Sequence, residues 1–225
     1  MDACCKDSPD GLSKEKFDKL CTDVFKIPKI FRDYLYIRID GDKQGDAASK
    51  TISRAQIERF WRENDHDHTT PKKRVFTIFA KKNSQYIEKD DFKVLFSYLL
   101  EHHPGLEFLK ATPEFQERYA DTVVMRIFYT LDYNDDGKIT FRDFNNSNLY
   151  EIFQQVSDEE DINKIRQYFS YEHFYVLYCR FWELDTDHDF LIDKEDFSRY
   201  EGHALSRKAV DRIFEQIPRK FKSGQ

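Results

Sequence analysis

Glycine and proline are scarce in this chain, 7 and 6 among 225 residues, which argues against a long low-complexity or disordered region. Methionine is scarcer still. Met1 and Met125 are the only 2, so the methionine-rich groove with which a calcium sensor grips a target helix lacks its usual material. No apolar run approaches the length of a membrane span, and no apolar signal segment follows Met1. The chain therefore reads as intracellular, with cytosol, nucleus and centrosome all open, and no membrane partner is expected. In that compartment the 4 cysteines, Cys4, Cys5, Cys21 and Cys179, are expected to be reduced. Basic charge is not in excess: Lys and Arg number 36 against 42 Asp and Glu, a net charge of −6, so no nucleic-acid partner is expected. The short basic runs Lys72-Lys-Arg74 and Arg219-Lys-Phe-Lys222 read as solvated faces. A glycine-rich phosphate loop and a nucleophile–base pair are both missing, which argues against an enzyme.

What is present is enough for a core, with 40% hydrophobic and 16% aromatic residues, and two acidic loops. These are Asp132-Tyr-Asn-Asp-Asp-Gly-Lys-Ile-Thr-Phe-Arg-Asp143 and Asp185-Thr-Asp-His-Asp-Phe-Leu-Ile-Asp-Lys-Glu-Asp196. Each carries oxygen-bearing side chains at loop positions 1, 3, 5 and 12 and isoleucine at 8, the spacing by which a short loop wraps a hard cation. Apolar helix ends precede them (Leu131, Leu184) and phenylalanines follow (Phe144, Phe197). The pattern is helix, loop, helix: an EF-hand.

The isoleucine frame recurs at Ile52, Ile87, Ile139 and Ile192, with a first interval (52 to 87) suited to a compact helix-loop-helix pair and longer ones after it. The first two units have lost the metal chemistry. Asp40 stands too far before Ile52 for an uninterrupted loop, with extra residues near Gly41–Asp46, and the second loop has Ala80 at position 1 and Lys82 at position 3. The expected fold is all-α: four EF-hand-like units, two degenerate and two metal-competent, in an elongated two-lobed arrangement divided into 1–103 and 104–225 near His102-His-Pro-Gly105.

Position 9 of each loop doubles as the N-cap of the outgoing helix and position 12 as its N3, so Ser53…Gln56 reads as a capping box with no metal involved. Thr140/Asp143 and Asp193/Asp196 are then partly expected from capping alone; the carboxylates at 1, 3 and 5 are what raise them to metal sites. Thr112-Pro113-Glu114 reads as a helix start, and Ser157-Asp-Glu-Glu160 as a second capping box opening a helix whose stripe, Ile162 through Phe169 and Phe174 to Trp182, belongs in the core.

In the loop at 132–143, Asp132, Asn134 and Asp136 would give side-chain oxygens, Lys138 its carbonyl, and Asp143 the position-12 carboxylate. Aspartate there reaches bidentate geometry less easily than glutamate, which shifts the site towards Mg2+. Gly137 supplies the turn with positive φ. In the loop at 185–196, Asp185, Asp187, Asp189, Asp193 and Asp196 supply carboxylates and Leu191 the carbonyl. Phe190 replaces the turn glycine at a cost of roughly 1–2 kcal/mol. Both sites are expected to bind Ca2+ with Kd of ~10⁻⁶ to 10⁻⁴ M. His66-Asp-His68 lacks a third ligand for a transition metal and reads as polar loop. Asp185-Thr-Asp187 is set aside as a phosphatase nucleophile because Tyr178–Leu184 reads as helix, not strand.

The second half resembles the B-double-prime regulatory subunits of protein phosphatase 2A. The resemblance rests on His103-Pro-Gly-Leu-Glu-Phe-Leu109, Arg126-Ile-Phe-Tyr129 and the aromatic string Tyr168-Phe-Ser-Tyr-Glu-His-Phe-Tyr-Val-Leu-Tyr-Cys-Arg-Phe-Trp-Glu-Leu-Asp-Thr-Asp-His-Asp189, continued by Gly202-His-Ala-Leu-Ser206 and Asp211-Arg-Ile-Phe214. It is close over about 100–214 and looser over about 16–99. It implies a non-enzymatic subunit that docks on the phosphatase scaffold and catalytic subunits and directs the enzyme to phosphoprotein substrates, with calcium tuning assembly. It carries the metal role to Asp185, Asp187, Asp189, Leu191, Asp193 and Asp196, whereas metal at 132–143 rests on the loop itself. The family pattern runs on past the position of Gln225 to another calcium loop, so the chain is expected to be a shortened form. A free-standing EF-hand calcium sensor is the alternative.

Overall fold

The structure, a computed structural model, describes residues 11–25, 27–40, 51–64, 69–81 and 84–216. Cys4, Cys5, the Gly41–Asp46 insertion, His66–His68, Lys82 and the Arg219–Lys222 run lie outside them. The fold is all-α. Its helices are α1 (Lys14–Leu20), α2 (Arg32–Ile39), α3 (Arg54–Glu63), α4 (Pro71–Phe79), α5 (Phe92–His102), α6 (Pro113–Leu131), α7 (Phe141–Asn146), α8 (Leu149–Asp158), α9 (Tyr171–Leu184), α10 (Lys194–Ser198) and α11 (Arg207–Gln216).

Local chemistry sets the helix starts. Ser53 Oγ accepts from Gln56 N–H at 3.2 Å while the Gln56 side-chain oxygen accepts Ser53 N–H at 2.9 Å, the box that opens α3. Thr140/Asp143 and Asp193/Asp196 form the same box at α7 and α10; such caps contribute about 1 kcal/mol each. Pro113 opens α6, but the Thr112 hydroxyl turns back to the Leu109 carbonyl instead of capping. The Ser157 reading is corrected. Ser157 lies in the last turn of α8 with its hydroxyl donated to Phe153 O at 2.9 Å, and α9 is opened by Ser170, which accepts from His173 N–H. Inside a helix a serine hydroxyl can share the carbonyl four residues back with its own N–H, and that bond competes with capping.

The strand pairing also departs from expectation. Two antiparallel two-residue pairs form: β1 (Leu12–Ser13) with β2 (Thr51–Ile52), and β3 (Tyr86–Ile87) with β4 (Ile139–Thr140), placing Leu12 opposite Ile52 and Ile87 opposite Ile139. Ile52 and Ile87 therefore do not pair, despite their short interval. Leu12 heads an earlier unit in the same frame: Ser13 is the N-cap residue of α1, and Phe17, five beyond Leu12, is buried like Ile57, Phe92 and Phe144 in the matching places. Ile87 is thereby left to Ile139.

This second pair joins residues on both sides of position 103, and so does the core. Phe31 and Phe79 pack on Phe153 with ring centroids 4.9 and 5.8 Å away, and Phe92 lies 4.7 Å from Phe79. The His103-Pro-Gly corner is tightly packed: a Cβ on Gly105 would meet Glu160 O at 2.7 Å and Ile162 N at 2.8 Å. Lys72 is not a solvated cation either. Its ammonium reaches Glu151 at 2.8 Å and the carbonyls of Asn145 and Ser147, while Lys73 lies over the Phe141 ring.

The long α6 carries α9 across it. Tyr119 is buried and donates to Phe169 O at 2.5 Å, and Arg126 donates to Tyr168 O at 2.8 Å. Ile162, Ile165, Phe169 and Phe174 are core as expected, but Tyr175 and Trp182 are exposed. The aromatic stripe therefore leaves the core halfway along α9, because beyond Phe174 only one side of that helix meets α6.

Candidate metal centre

Helix α9 delivers Asp185 to the start of its loop fully buried. Its Oδ2 accepts Phe190 N–H at 2.9 Å, whereas Oδ1 has no hydrogen-bond partner among the described residues. A buried carboxylate oxygen without a donor is costly unless a cation completes it. Asp187 and Asp189, at positions 3 and 5, converge on it: one oxygen from each of the three carboxylates lies within 4.8 Å of the others. The backbone achieves this with left-handed residues at positions 4 and 6, His188 at φ 59° and Phe190 at φ 63°. Phe190 thus adopts the conformation a glycine would take without strain. Two contacts hold the loop in place: the Arg118 guanidinium sits 4.0 Å from the Phe190 ring centroid, and His188 stacks on Trp182 at 3.8 Å.

The remaining two carboxylates are engaged elsewhere. Asp193 Oδ1 caps α10, accepting from Glu195 N–H at 2.7 Å and Asp196 N–H at 2.8 Å. Asp196, at position 12, accepts from the Thr186 hydroxyl at 2.9 Å and from Arg199 Nη1 at 3.2 Å on Oδ1, and from Asp193 N–H on Oδ2. Burial pushes the Asp196 carboxyl up, but Thr186, the Asp193 N–H and Arg199 outweigh it and hold it below the ordinary carboxylate range. Leu191 is exposed, with its N–H on Asp189 Oδ1 at 2.7 Å. The loop therefore gathers Asp185, Asp187 and Asp189, and leaves Asp193 and Asp196 outside the cluster.

The loop at 132–143 has the same backbone, with Asp135 at φ 57° and Gly137 at φ 74°, and a different arrangement of charges. Asp132 is buried, yet both its oxygens are used, accepting Asp136 N–H at 3.2 Å and Gly137 N–H at 2.9 Å. Asp136 Oδ1 accepts Lys138 N–H, and the Asp143 carboxylate takes the Thr140 N–H and hydroxyl. Asn134 is exposed, and Lys138 lies over the Tyr86 ring at 4.3 Å. Among the described residues, three carboxylates do not gather here as they do at Asp185.

The silent second unit is closed by the chain's own cations. Ala80 is buried at position 1, its carbonyl takes Arg38 Nη2 at 2.6 Å, and Lys81 pairs with Glu88 at 3.2 Å. Arg38 stands too far from the loop in sequence to be read from it. The Arg199–Asp196 ion pair is not among the expectations from the sequence although its signal is local, since an arginine three residues beyond an aspartate is a helical ion-pair spacing. Leu12 is equally legible from its frame.

Comparison with known proteins agrees with this architecture. Residues 70–159 match a family described as an EF-hand domain. The chain is 45% identical over 214 residues to the Arabidopsis thaliana protein named as the probable B''delta regulatory subunit of serine/threonine protein phosphatase 2A, covering 95% of this chain and 39% of that one. It is 46% identical over 187 residues to the Homo sapiens B''-alpha regulatory subunit of the same phosphatase, covering 83% of this chain and 16% of that one. A solved structure described as the PP2A PR70 holoenzyme, in a form labelled diCa, superposes with a TM-score of 0.61 at 47% identity, over 65% of this chain and 55% of its counterpart. The chain thus spans less than half the length of these curated relatives. The EF-hand match and the diCa neighbour point to calcium as the cation for loops of this kind. With identity running through both halves of the chain and the aromatic string entering a loop of gathered carboxylates, the chain belongs to the B-double-prime family of protein phosphatase 2A regulatory subunits.

Proposed function

We propose that this chain is a calcium-binding, non-enzymatic regulatory subunit of protein phosphatase 2A, which docks on the scaffold and catalytic subunits and directs the enzyme to phosphoprotein substrates inside the cell. The observation that supports it most is the buried, unpartnered Oδ1 of Asp185 inside the Asp185–Asp187–Asp189 cluster, in a chain 45% identical to a named subunit of that kind across 95% of its length. A bound calcium would supply positive charge and flexible oxygen coordination at that cluster. The chain's own residues do the rest: Asp185 anchors the loop to α9, the left-handed turns at His188 and Phe190 aim the carboxylates inward, and Leu191 offers its carbonyl. The loop at 132–143 is proposed as a weaker, Mg2+-tolerant second site, since both oxygens of its position-1 carboxylate, Asp132, accept backbone N–H groups. We also keep 1–103 and 104–225 as functional halves, with the metal chemistry in the second.

Two surfaces support a role in docking. Tyr175, Val176, Leu177 and Trp182 of α9 are exposed, and a cleft of about 920 Å³ lies between α6 and α9, lined by Met125, Tyr129, Leu177, Phe181 and Phe190. Phe190 belongs to the metal loop and to the cleft wall, so the loop's state bears directly on the surface beside it. The test is a pull-down of scaffold and catalytic phosphatase subunits by the full chain, with calcium and with chelator. Recovery of the subunits, stronger with calcium, is expected. Recovery of neither in both conditions would favour the free-standing sensor instead.

A further inference from the structure

The residue that ends helix α10, Arg199, is a cation aimed at the metal loop. Arg199 Nη1 lies 3.2 Å from Asp196 Oδ1 and also donates to the Thr186 hydroxyl, while Nη2 reaches Glu195 at 3.1 Å. Thr186 in turn donates to the same Asp196 oxygen at 2.9 Å. The position-12 carboxylate is therefore drawn towards Arg199 and Thr186, outside the cluster formed by Asp185, Asp187 and Asp189. Among the described residues, nothing comparable stands at 132–143. There Asp143 is held by its own cap residue, and the residue three further on is the uncharged Asn146.

We propose that Arg199 is an internal counter-cation that holds Asp196 out of the coordination sphere, so that calcium must displace the Arg199–Asp196 pair to complete its ligand set. This makes Arg199 a positioning residue that sets the affinity of the 185–196 loop. It deepens, and rests on, the reading that this loop takes calcium.

The physical argument is competition for one carboxylate. An aspartate at position 12 must reach further than a glutamate to meet the ion, and here it must also give up hydrogen bonds to a guanidinium and a hydroxyl. Charge-assisted bonds of this type are about twice as strong as neutral ones. The pair is only partly exposed, with the Asp196 side chain 9% and Arg199 39% accessible, so water screens it less than an ordinary surface ion pair. The same contact couples the loop to α10. Asp196 is the N3 residue of that five-residue helix, and Arg199 follows directly on its end. Recruiting Asp196 to the ion would free Arg199 and shift α10 against α11, to which it is tied by Lys194 with Glu215 at 2.6 Å and by Phe197 with Phe214.

The test is calorimetric calcium titration of the full chain as wild type, Arg199→Gln, Arg199→Lys and Thr186→Val, with thermal unfolding of each in chelator. Arg199→Gln should bind calcium at the 185–196 loop about three- to tenfold more tightly, Thr186→Val about two- to threefold, and Arg199→Lys between wild type and Arg199→Gln. Arg199→Gln should lose a little thermal stability in chelator. A merely structural arginine would act the other way, since a loosened loop binds more weakly. Unchanged or weaker binding in Arg199→Gln, with wild type binding normally, overturns the lock. Absence of binding in wild type overturns the calcium reading beneath it and the lock with it.

Discussion

The loops at 132–143 and 185–196 share a backbone and divide their assets. The first has the unstrained turn at Gly137, an isoleucine buried against Ile87 in the β3–β4 pair, and no counter-cation on Asp143 among the described residues, yet both oxygens of Asp132 accept the loop's own N–H groups. The second has Phe190 in a left-handed turn, Ile192 only partly buried, and no strand partner for Ile192 among the described residues, yet it gathers three carboxylates and leaves a buried oxygen of Asp185 unpartnered. Structural completeness and carboxylate gathering therefore separate. The loop whose Asp132 is fully satisfied by backbone N–H groups forms no three-carboxylate cluster among the described residues, and the loop with the unpartnered Asp185 oxygen does.

The sharpest way to break this contrast is through the position-8 residues. Ile139→Ala removes a fully buried side chain from β4 and should destabilise the fold by about 2–5 kcal/mol, whereas Ile192→Ala, with no strand to lose, should cost under about 1 kcal/mol. Urea unfolding of both variants in chelator reads the difference; equal losses would mean that the 185–196 loop is as integrated as its counterpart.

A smaller effect separates the loops from the corner that supports them. His103 is buried with Nδ1 accepting Gly105 N–H at 3.1 Å, and burial pushes its pKa below the ordinary 6.5 against the pull of nearby carbonyls. The unfolded chain therefore binds more protons than the folded one below about pH 6.5. Stability should be level above that pH and fall as pH drops through it. His103→Gln should flatten that slope in urea unfolding at pH 7.5 and 5.5, and a slope unchanged by the substitution would place the titrating group elsewhere. Phe190→Gly is predicted to be the smallest change: relief of roughly 1–2 kcal/mol of left-handed strain offsets loss of the Arg118 contact, worth about 0.5–1 kcal/mol. Thermal unfolding in chelator should move by no more than a few degrees.

Much of this is legible in the sequence because it is local. A capping box spans four residues, and a twelve-residue loop carries its ligand positions in one reading frame, so the boxes at Ser53, Thr140 and Asp193, the turn at Phe190 and the loss of metal chemistry at Ala80 can be read directly. What escapes depends on distant partners. Strand pairing is decided by which position-8 residue lies nearest in space, so Leu12 claims Ile52 and leaves Ile87 to Ile139. Arg38 reaches the Ala80 carbonyl from another helix. Ser157 obeys a capping pattern but sits inside α8, where its hydroxyl bonds back to the Phe153 carbonyl. At the candidate site, residue types name every carboxylate, and only side-chain geometry can show that Asp193 and Asp196 are held outside the cluster.

The central claim is that the 185–196 loop, not the better-formed loop at 132–143, is the principal calcium site. Isothermal calcium titration of the full chain beside Asp185→Asn and Asp132→Asn tests it most directly. The tighter binding event, with Kd of ~10⁻⁶ to 10⁻⁴ M, should vanish in Asp185→Asn and persist within about threefold in Asp132→Asn. Loss of that event in Asp132→Asn with Asp185→Asn unaffected, or no calcium heat from the wild-type chain at millimolar calcium, would contradict it.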